Sequence, residues 1–531
     1  MNKKLWSPII LGISVMVGIY LGRLSVPVSN ADGYDGVQVM QMPSVTNKLQ
    51  QILDAIDLYY VDNISTDSII EKVIPRVLED LDPHTTYIPA EMLNDVNIEL
   101  KANFGGVGVQ FSIIQDTVNI VSVVNGGPSS HLGVLPGDKI IKVNGLDFVG
   151  PKISNQMVMD SLRGDIGTKV NLTVTRNNTN IDFNIVRGLI PQYSVNASYL
   201  IEDSIGYISI DRFAENTYEE MLQGIAKLKT QGCSKLIVDL RSNQGGLLDV
   251  VIRMCNEFLH AGDLIVYTEG AHQLRQEARA DGKGVCQDME VVTLIDEFSA
   301  SASEIFAGAM QDNDRGLVIG RRSFGKGLVQ TQLQLPDLSA IRLTISRYHT
   351  PSGRCIQRSY SDGREDYYQE MGRRFANELF NVDSTKVDLS QKFTTKKGRT
   401  VFGGGGIIPD IFIPHDTTKA SPFLYNLRAK TILYTYSMEY ANKHREEYKG
   451  MDSKSLIAKL EKTNLWPEII KYAANKGIKS PSSISSLEKG IIEQDVRAYI
   501  ARDLVGNDAF YAILNRTDPT IIKTLESIRR K

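Results

Sequence analysis

The stretch VVTLIDEFSASASEIFAGAMQDNDRGLVIGRRSFGKGLVQ, from Val291 to Gln330, constrains the fold of this chain more than any other. It opens on an apolar run, Val291 to Ile295, long enough for a buried strand and too short for a helix. A serine cluster, Ser299, Ser301 and Ser303, separated by Ala300 and Ala302, leads into a helical pattern carried by Glu304, Ile305, Phe306, Ala307, Ala309 and Met310. A second apolar strand follows, Gly316 to Gly320, then the loop Ser323-Phe324-Gly325-Lys326-Gly327. Beyond it, Leu328-Val329-Gln330 runs on through Thr331, Leu333 and Leu335 with the alternation of a strand.

A strand that turns into a helix through small hydroxyl residues exposes a hydroxyl at its end. It also sets that hydroxyl beside the free N–H groups and positive pole of the helix, where an oxyanion is stabilised. Ser301 with Glu304 three residues later also reads as a plain capping pair, and Lys326 is what favours chemistry. Flanked by two glycines, its stem can lie in an apolar groove while the amine reaches another element. On an extended segment Lys326, Leu328 and Gln330 share one face, so the Gln330 carbonyl can accept from the amine and aim its lone pair. A neutral lysine can activate a serine. Its pKa of about 10.4 must then fall by roughly three units, about 4 kcal/mol stored in the fold.

Two rival motifs fail. Gly320 to Lys326 fits the phosphate-loop spacing GxxxxGK, but Gly327 stands where a magnesium-binding Ser or Thr is needed, and a strand pattern follows instead of a helix. A Ser-His-Asp triad lacks a GxSxG, and no histidine lies between Val291 and Gln330.

With SASAS, FGKG and a glutamine four residues past the lysine, the stretch resembles the catalytic core of the carboxyl-terminal processing peptidases. These are serine peptidases with a Ser-Lys dyad assisted by a Gln, and the resemblance extends over roughly Leu58 to Pro414. It implies that Ser301 is the nucleophile, Lys326 the base and Gln330 the residue that orients the base, with no metal or nucleotide cofactor. Asp239-Leu240-Arg241-Ser242-Asn243-Gln244-Gly245-Gly246 matches the family's DLRxNxGG, which lends a backbone N–H to the oxyanion hole. The expected donors are Gly246 or Gly245, paired with Ala302, each worth roughly 3 kcal/mol. Arg347 to Arg354 and Gly403 to Asp410 match segments that close the core.

Upstream, Phe104 to Phe111 and Gly127 to Asp138 are glycine-rich, and alternating strands at Val118 to Val123 and Ile140 to Gly145 make a small β-rich unit. Together they resemble a PDZ domain. Consecutive N–H groups of Gly106, Val107, Gly108 and Val109 can hold a peptide carboxylate while an open strand edge pairs with the peptide. From Val45 to Met92 the apolar residues recur at helical spacing. His84, after a proline in Leu81 to Tyr87, reads as structural.

At the N-terminus, Lys3 and Lys4 precede the apolar segment Leu5 to Leu21, at the lower edge of membrane-spanning length. The basic end stays in the cytoplasm and the rest is exported. Val28 to Ala31 is a poor cleavage site, so the expectation is an uncleaved anchor with the chain on the periplasmic side of the cell envelope. Residues 357–397 are a polar, charged insertion with no legible role. The helical residues from Pro422 onward read first as a packing cap, with oligomerisation or adaptor binding as other uses. Over 531 residues the net charge is −3, which implies no polyanion and hence no nucleic acid. Four scattered cysteines make neither a disulfide framework nor a zinc site.

The expectation is therefore a multidomain α+β chain. It comprises a membrane segment (1–30), a helical lead-in (45–100), a PDZ domain (103–187), an α/β catalytic core with a Ser-Lys dyad (192–416) and a helical C-terminal extension (417–531). The implied function is a serine endopeptidase that cleaves exported proteins after the PDZ domain captures their C-termini. The rival is a catalytically silent PDZ scaffold that presents peptides; the intact Ser-Lys-Gln set argues against it, since a scaffold gains nothing from a desolvated lysine.

Overall fold

The helical spacing from Leu49 to Leu78 becomes two helices, α1 (Lys48–Tyr59) and α2 (Thr66–Glu79), the second capped by the Ser65 side chain. These come from a computed structural model that describes residues 38–39, 48–101, 103–124, 126–377, 390–416 and 421–530. The apolar segment Leu5 to Leu21 lies outside the described residues; among those described, no helix is long and apolar enough to cross a membrane. The helical pattern of the lead-in does not continue unbroken. The Asp82 carboxylate accepts from the N–H groups of His84 and Thr85, at 2.8 and 2.9 Å, and from the Thr85 hydroxyl. This turn launches strand β1 (Thr86–Ile88), which pairs antiparallel with Ala340 to Arg342. Helix α3 (Ala90–Lys101) follows. Helical spacing hid this short strand because its partner lies some 250 residues away in the chain.

The β-rich unit contains β2 (Asn103–Gly106), β3 (Val109–Ile114), β4 (Thr117–Val123), β5 (Lys139–Val143), helix α4 (Asn155–Leu162), β6 (Lys169–Arg176) and β7 (Thr179–Val186). Its antiparallel sheet runs β3-β4-β5-β6-β7, leaving β3 as an edge. Alternate residues Val118 and Ile120, Leu172 and Val174 point into one core with Ile140 and Ile185. Strand β8 (Gly188–Pro191) pairs with β2 and closes the unit's two chain ends on each other.

The core that follows holds β9 (Val195–Glu202), β10 (Ile205–Ile210), α5 (Thr217–Thr230), β11 (Lys235–Asp239), α6 (Leu248–Asn256), β12 (Leu264–Gly270) and β13 (Gln273–Arg279). It continues with β14 (Glu290–Ile295), α7 (Ala302–Asp312), β15 (Gly316–Gly320), β16 (Leu328–Gln334), β17 (Ala340–His349), α8 (Arg364–Asn377) and β18 (Ile411–Phe412). One sheet runs β9-β10-β11-β14-β15-β18, parallel from β10 to β18. Its strands are covered on both faces, which is why they read as unbroken apolar runs. Helices α5, α6 and α7 pack on one face, and every residue of α7 is buried. A second, antiparallel sheet, β16-β17-β12-β13, flanks the first and takes β1 at β17.

Among the described residues the extension forms seven α-helices: α9 (Pro422–Ala429), α10 (Ile432–His444), α11 (Ser453–Lys462), α12 (Trp466–Asn475), α13 (Ser486–Val505), α14 (Asn507–Leu514) and α15 (Pro519–Arg529). The first six share a core of their own. Helix α15 then lays Ile521 and Ile528 on the second face of the parallel sheet, against Tyr207, Ile237, Val292 and Leu294. Each such side chain contributes roughly 1.5–3 kcal/mol of burial, so the extension completes the layer that the sheet needs.

Candidate active site

Strand β14 ends at Ile295 and the chain turns through the serine cluster into α7. The three serines divide sharply. Ser299 is buried and donates to Leu240 O at 2.8 Å; Ser303 is buried and donates to Asn243 O at 2.8 Å. Both bind the turn to the end of β11. Only Ser301 is part exposed, and it faces a cleft of about 780 Å³ that also presents Lys326, Gln330, Gly245, Gly246 and Ala302. Its backbone sits at φ 55° and ψ −112°, a left-handed conformation that costs a serine on the order of 1 kcal/mol or more.

The contacts that hold this strain involve Glu304. Its fully buried carboxylate accepts from Ser301 N–H at 2.9 Å, Lys326 N–H at 2.8 Å, Gly325 N–H at 2.7 Å and the Ser323 hydroxyl at 2.6 Å. The Ser301–Glu304 capping contact is therefore real, and it also joins the serine turn to the FGKG loop. Burial pushes the Glu304 carboxyl up to about 7 in spite of these donors. From the other side the buried Tyr348 hydroxyl lies 3.1 Å from Ser301 O and 2.6 Å from Lys326 O, a second bridge between the same two segments.

Lys326 Nζ donates to Gln330 Oε1 at 2.9 Å, the contact expected from their shared face. The β16–β17 register slips between Val329 and Gln330, so a bulge re-aims the glutamine just before the regular ladder resumes. Gln330 Nε2 in turn donates to His84 O at 2.6 Å. Burial brings the Lys326 amine down to about 8, helped by the Arg342 charge and opposed by Asp82 and Glu304. The neutral form that a base would need is thereby brought closer to neutral pH.

At the other wall of the cleft, Gly245 and Gly246 both hold positive φ. A Cβ on Gly245 would lie 2.8 Å from Ser301 Cβ, so the glycine turn runs directly against the serine. The two glycines differ in their N–H groups. That of Gly245 donates to Asn243 Oδ1 at 2.8 Å and is used up. Among the described residues, no hydrogen bond engages the N–H of Gly246 or of Ala302. Of the two alternatives, Gly246 is thus the one with a donor to offer. The loop is held from behind by Arg241, which pairs with Asp239 at 2.6 Å and with Asp518, at the start of α15, at 2.7 Å.

In the β-rich unit, the Val107 carbonyl accepts from the N–H and hydroxyl of Ser129, at 3.0 and 2.6 Å, and the Gly108 carbonyl accepts from Val124 N–H at 2.9 Å. These bonds turn the carbonyls inward, and among the described residues the N–H groups of Val107 and Gly108 have no acceptor. Gly106 ends β2 and Val109 starts the edge strand β3.

Sequence reasoning did not find His84 as an anchor, Tyr348 as a bridge or Asp518 as a partner of the glycine loop. Only Glu304 carried a signal, its SxxE spacing.

Residues 204–363 match the model of peptidase family S41, residues 105–186 that of the PDZ domain, and residues 423–506 a family of unknown function. A carboxy-terminal-processing protease of Bartonella bacilliformis is 37% identical over 314 residues, 58% of this chain and 71% of that protein. A protein of Staphylococcus epidermidis named as a probable CtpA-like serine protease is 32% identical over 358 residues, 66% of this chain and 71% of its own length. Among solved structures, the PDZ domain of a carboxy-terminal protease from Vibrio cholerae in complex with peptide is similar at 30% identity, over 17% of this chain and 97% of that one, with a TM-score of 0.15.

Proposed function

The chain belongs to peptidase family S41 and is a serine protease of the carboxy-terminal-processing type, and from that premise we propose that Ser301 and Lys326 perform the cleavage. Lys326 Nζ takes the hydroxyl proton as Ser301 Oγ attacks the scissile carbonyl. The N–H groups of Gly246 and Ala302 receive the oxyanion. Lys326 then returns the proton to the leaving amine, and water, deprotonated by the same amine, releases the acyl-enzyme. Gln330 keeps the lysine lone pair aimed at the serine. The observation that carries this reading is the lysine itself: part buried, held at 2.9 Å by Gln330 and lowered to about 8, in the same cleft as the one part-exposed serine of its cluster.

The PDZ domain delivers the substrate. Its open edge β3 pairs with an extended C-terminal peptide, and the loop Gly106 to Val109 receives the terminal carboxylate. The substrates are exported proteins, met on the periplasmic side of the inner membrane, to which residues 1–30 anchor the enzyme.

Mass spectrometry of an unfolded protein incubated with residues 31–531 tests this reading, beside a Ser301→Ala counterpart. The first should yield cleavage products and the second none. Turnover by a folded Ser301→Ala protein would remove Ser301 from the mechanism. Failure of the parent to react with a serine-directed acylating probe would return the weight to a silent PDZ scaffold.

A further inference from the structure

The insertion that the sequence left without a role packs against both segments that surround Lys326. Helix α8 begins at Arg364, just past the residues matched by the peptidase family. Its Tyr367, 2% exposed, meets His84 Nε2 through its hydroxyl at 2.7 Å, and the next residue, Tyr368, donates to Pro83 O at 2.9 Å. His84 O is the acceptor that fixes Gln330, and Gln330 is the acceptor that fixes Lys326. On the other side, Arg374 of α8 donates to Ser323 O at 2.6 Å. Arg358 lies between the rings of Phe324 and Tyr367, at 4.2 and 3.9 Å from their centroids. The turn Asp82 to Thr85 and the loop Ser323 to Gly327 are thus held together by one helix.

We propose that Tyr367 and His84 are positioning residues through which α8 holds Gln330, and thereby keeps the Lys326 amine dry and oriented enough to act as a base near neutral pH. The inference rests on the reading of Lys326 as the base. The groups facing Lys326 are Arg342 from β17, Asp82 and His84 from the turn, and Glu304 from α7; Arg358 and Arg364 face His84 from the insertion. His84 is neutral in this setting, because burial and then the Lys326 charge bring it down to about 4. The ring therefore does not compete with Lys326 for protons in the working range. Removing the Tyr367 hydroxyl frees the turn, lets water reach the amine and weakens the desolvation that lowers it.

The test is the pH dependence of kcat/KM for the parent, Tyr367→Phe and Tyr368→Phe in the full chain, with thermal unfolding alongside. For Tyr367→Phe the acid limb should move up by about half to one pH unit, so the rate at pH 7 falls about three- to tenfold while the rate at high pH stays within about twofold. Tyr368→Phe should move it the same way by less. An unchanged profile in both variants overturns the proposal. So does a uniform loss at every pH with an unmoved midpoint, which is what a merely structural helix predicts. Lys326→Ala separates the two levels: if it is dead while both tyrosine variants keep the parent profile, only the role of α8 fails. If it retains turnover, the base assignment falls and the proposal with it.

Discussion

The two segments of the candidate dyad are built in opposite ways. The serine side is local: strand β14, a turn of small residues and helix α7 follow one another within Glu290 to Asp312, and the flanking serines tie the turn to the neighbouring strand end. The lysine side is assembled from afar. Gln330 comes from the same loop and strand, but His84 precedes the PDZ domain, Tyr348 lies on β17 and Tyr367 belongs to the insertion. The difference has a chemical reason. A serine becomes a nucleophile through what stands beside it, whereas a lysine becomes a base only when water is excluded from it, and a short segment cannot enclose a side chain.

Loss of either reacting group gives the largest expected effect and should not distinguish the two sides. Ser301→Ala and Lys326→Arg should each lower kcat on the order of a million-fold in a peptide-cleavage assay, the second because a guanidinium stays protonated. An active Lys326→Arg enzyme would break the comparison at its root.

Glu304→Gln tests the joint between the two. It replaces an acceptor of four hydrogen bonds, two on each oxygen, by an amide whose nitrogen must face two of those donors, and kcat should fall on the order of ten- to a hundredfold. It also removes a negative charge that supports protonated Lys326, so the acid limb of the pH profile should move down. Movement upward would mean that Glu304 acts on the lysine through water access instead of charge.

A stability measurement isolates the enclosed lysine. Its folded pKa of about 8 lies below its ordinary value of 10.5, so between those values the unfolded chain binds more protons and stability rises with pH. Below about 8 the full penalty applies. Lys326→Met should therefore raise the unfolding free energy at pH 7 by about 2 kcal/mol, and the gain should shrink above pH 8 in denaturant titrations. The corresponding reaction profile of the parent should rise through about pH 8 and then level off.

Asp518→Asn gives the smallest effect. Arg241 keeps Asp239 as a partner, so the loss should be about 1 kcal/mol of stability. The glycine loop lies on the serine side of the cleft, so kcat should drop severalfold with the acid limb unmoved; a displaced limb would show that the two sides are not separable.

What was legible in the sequence follows the same division. The strand–turn–helix around Ser301, the face shared by Lys326 and Gln330, the glycine loop of Asp239 to Gly246 and the alternating strands of the PDZ unit all rest on periodicity or on spacings within a few residues. The short strand Thr86–Ile88 escaped because its only reason to be extended is its partner on β17. The choice between Gly245 and Gly246 also escaped, because it depends on where Asn243 Oδ1 points.

By itself the sequence determined which groups are the candidates to react, because the candidate nucleophile, base and orienting amide lie within one run from Ser301 to Gln330. Tertiary structure decided what stands around the candidate base and what covers the second face of the parallel sheet, through His84 and Tyr367 in the first case and Ile521 and Ile528 in the second. Both are matters of excluding water from a surface, and exclusion requires atoms from every side, which only distant parts of the chain can supply.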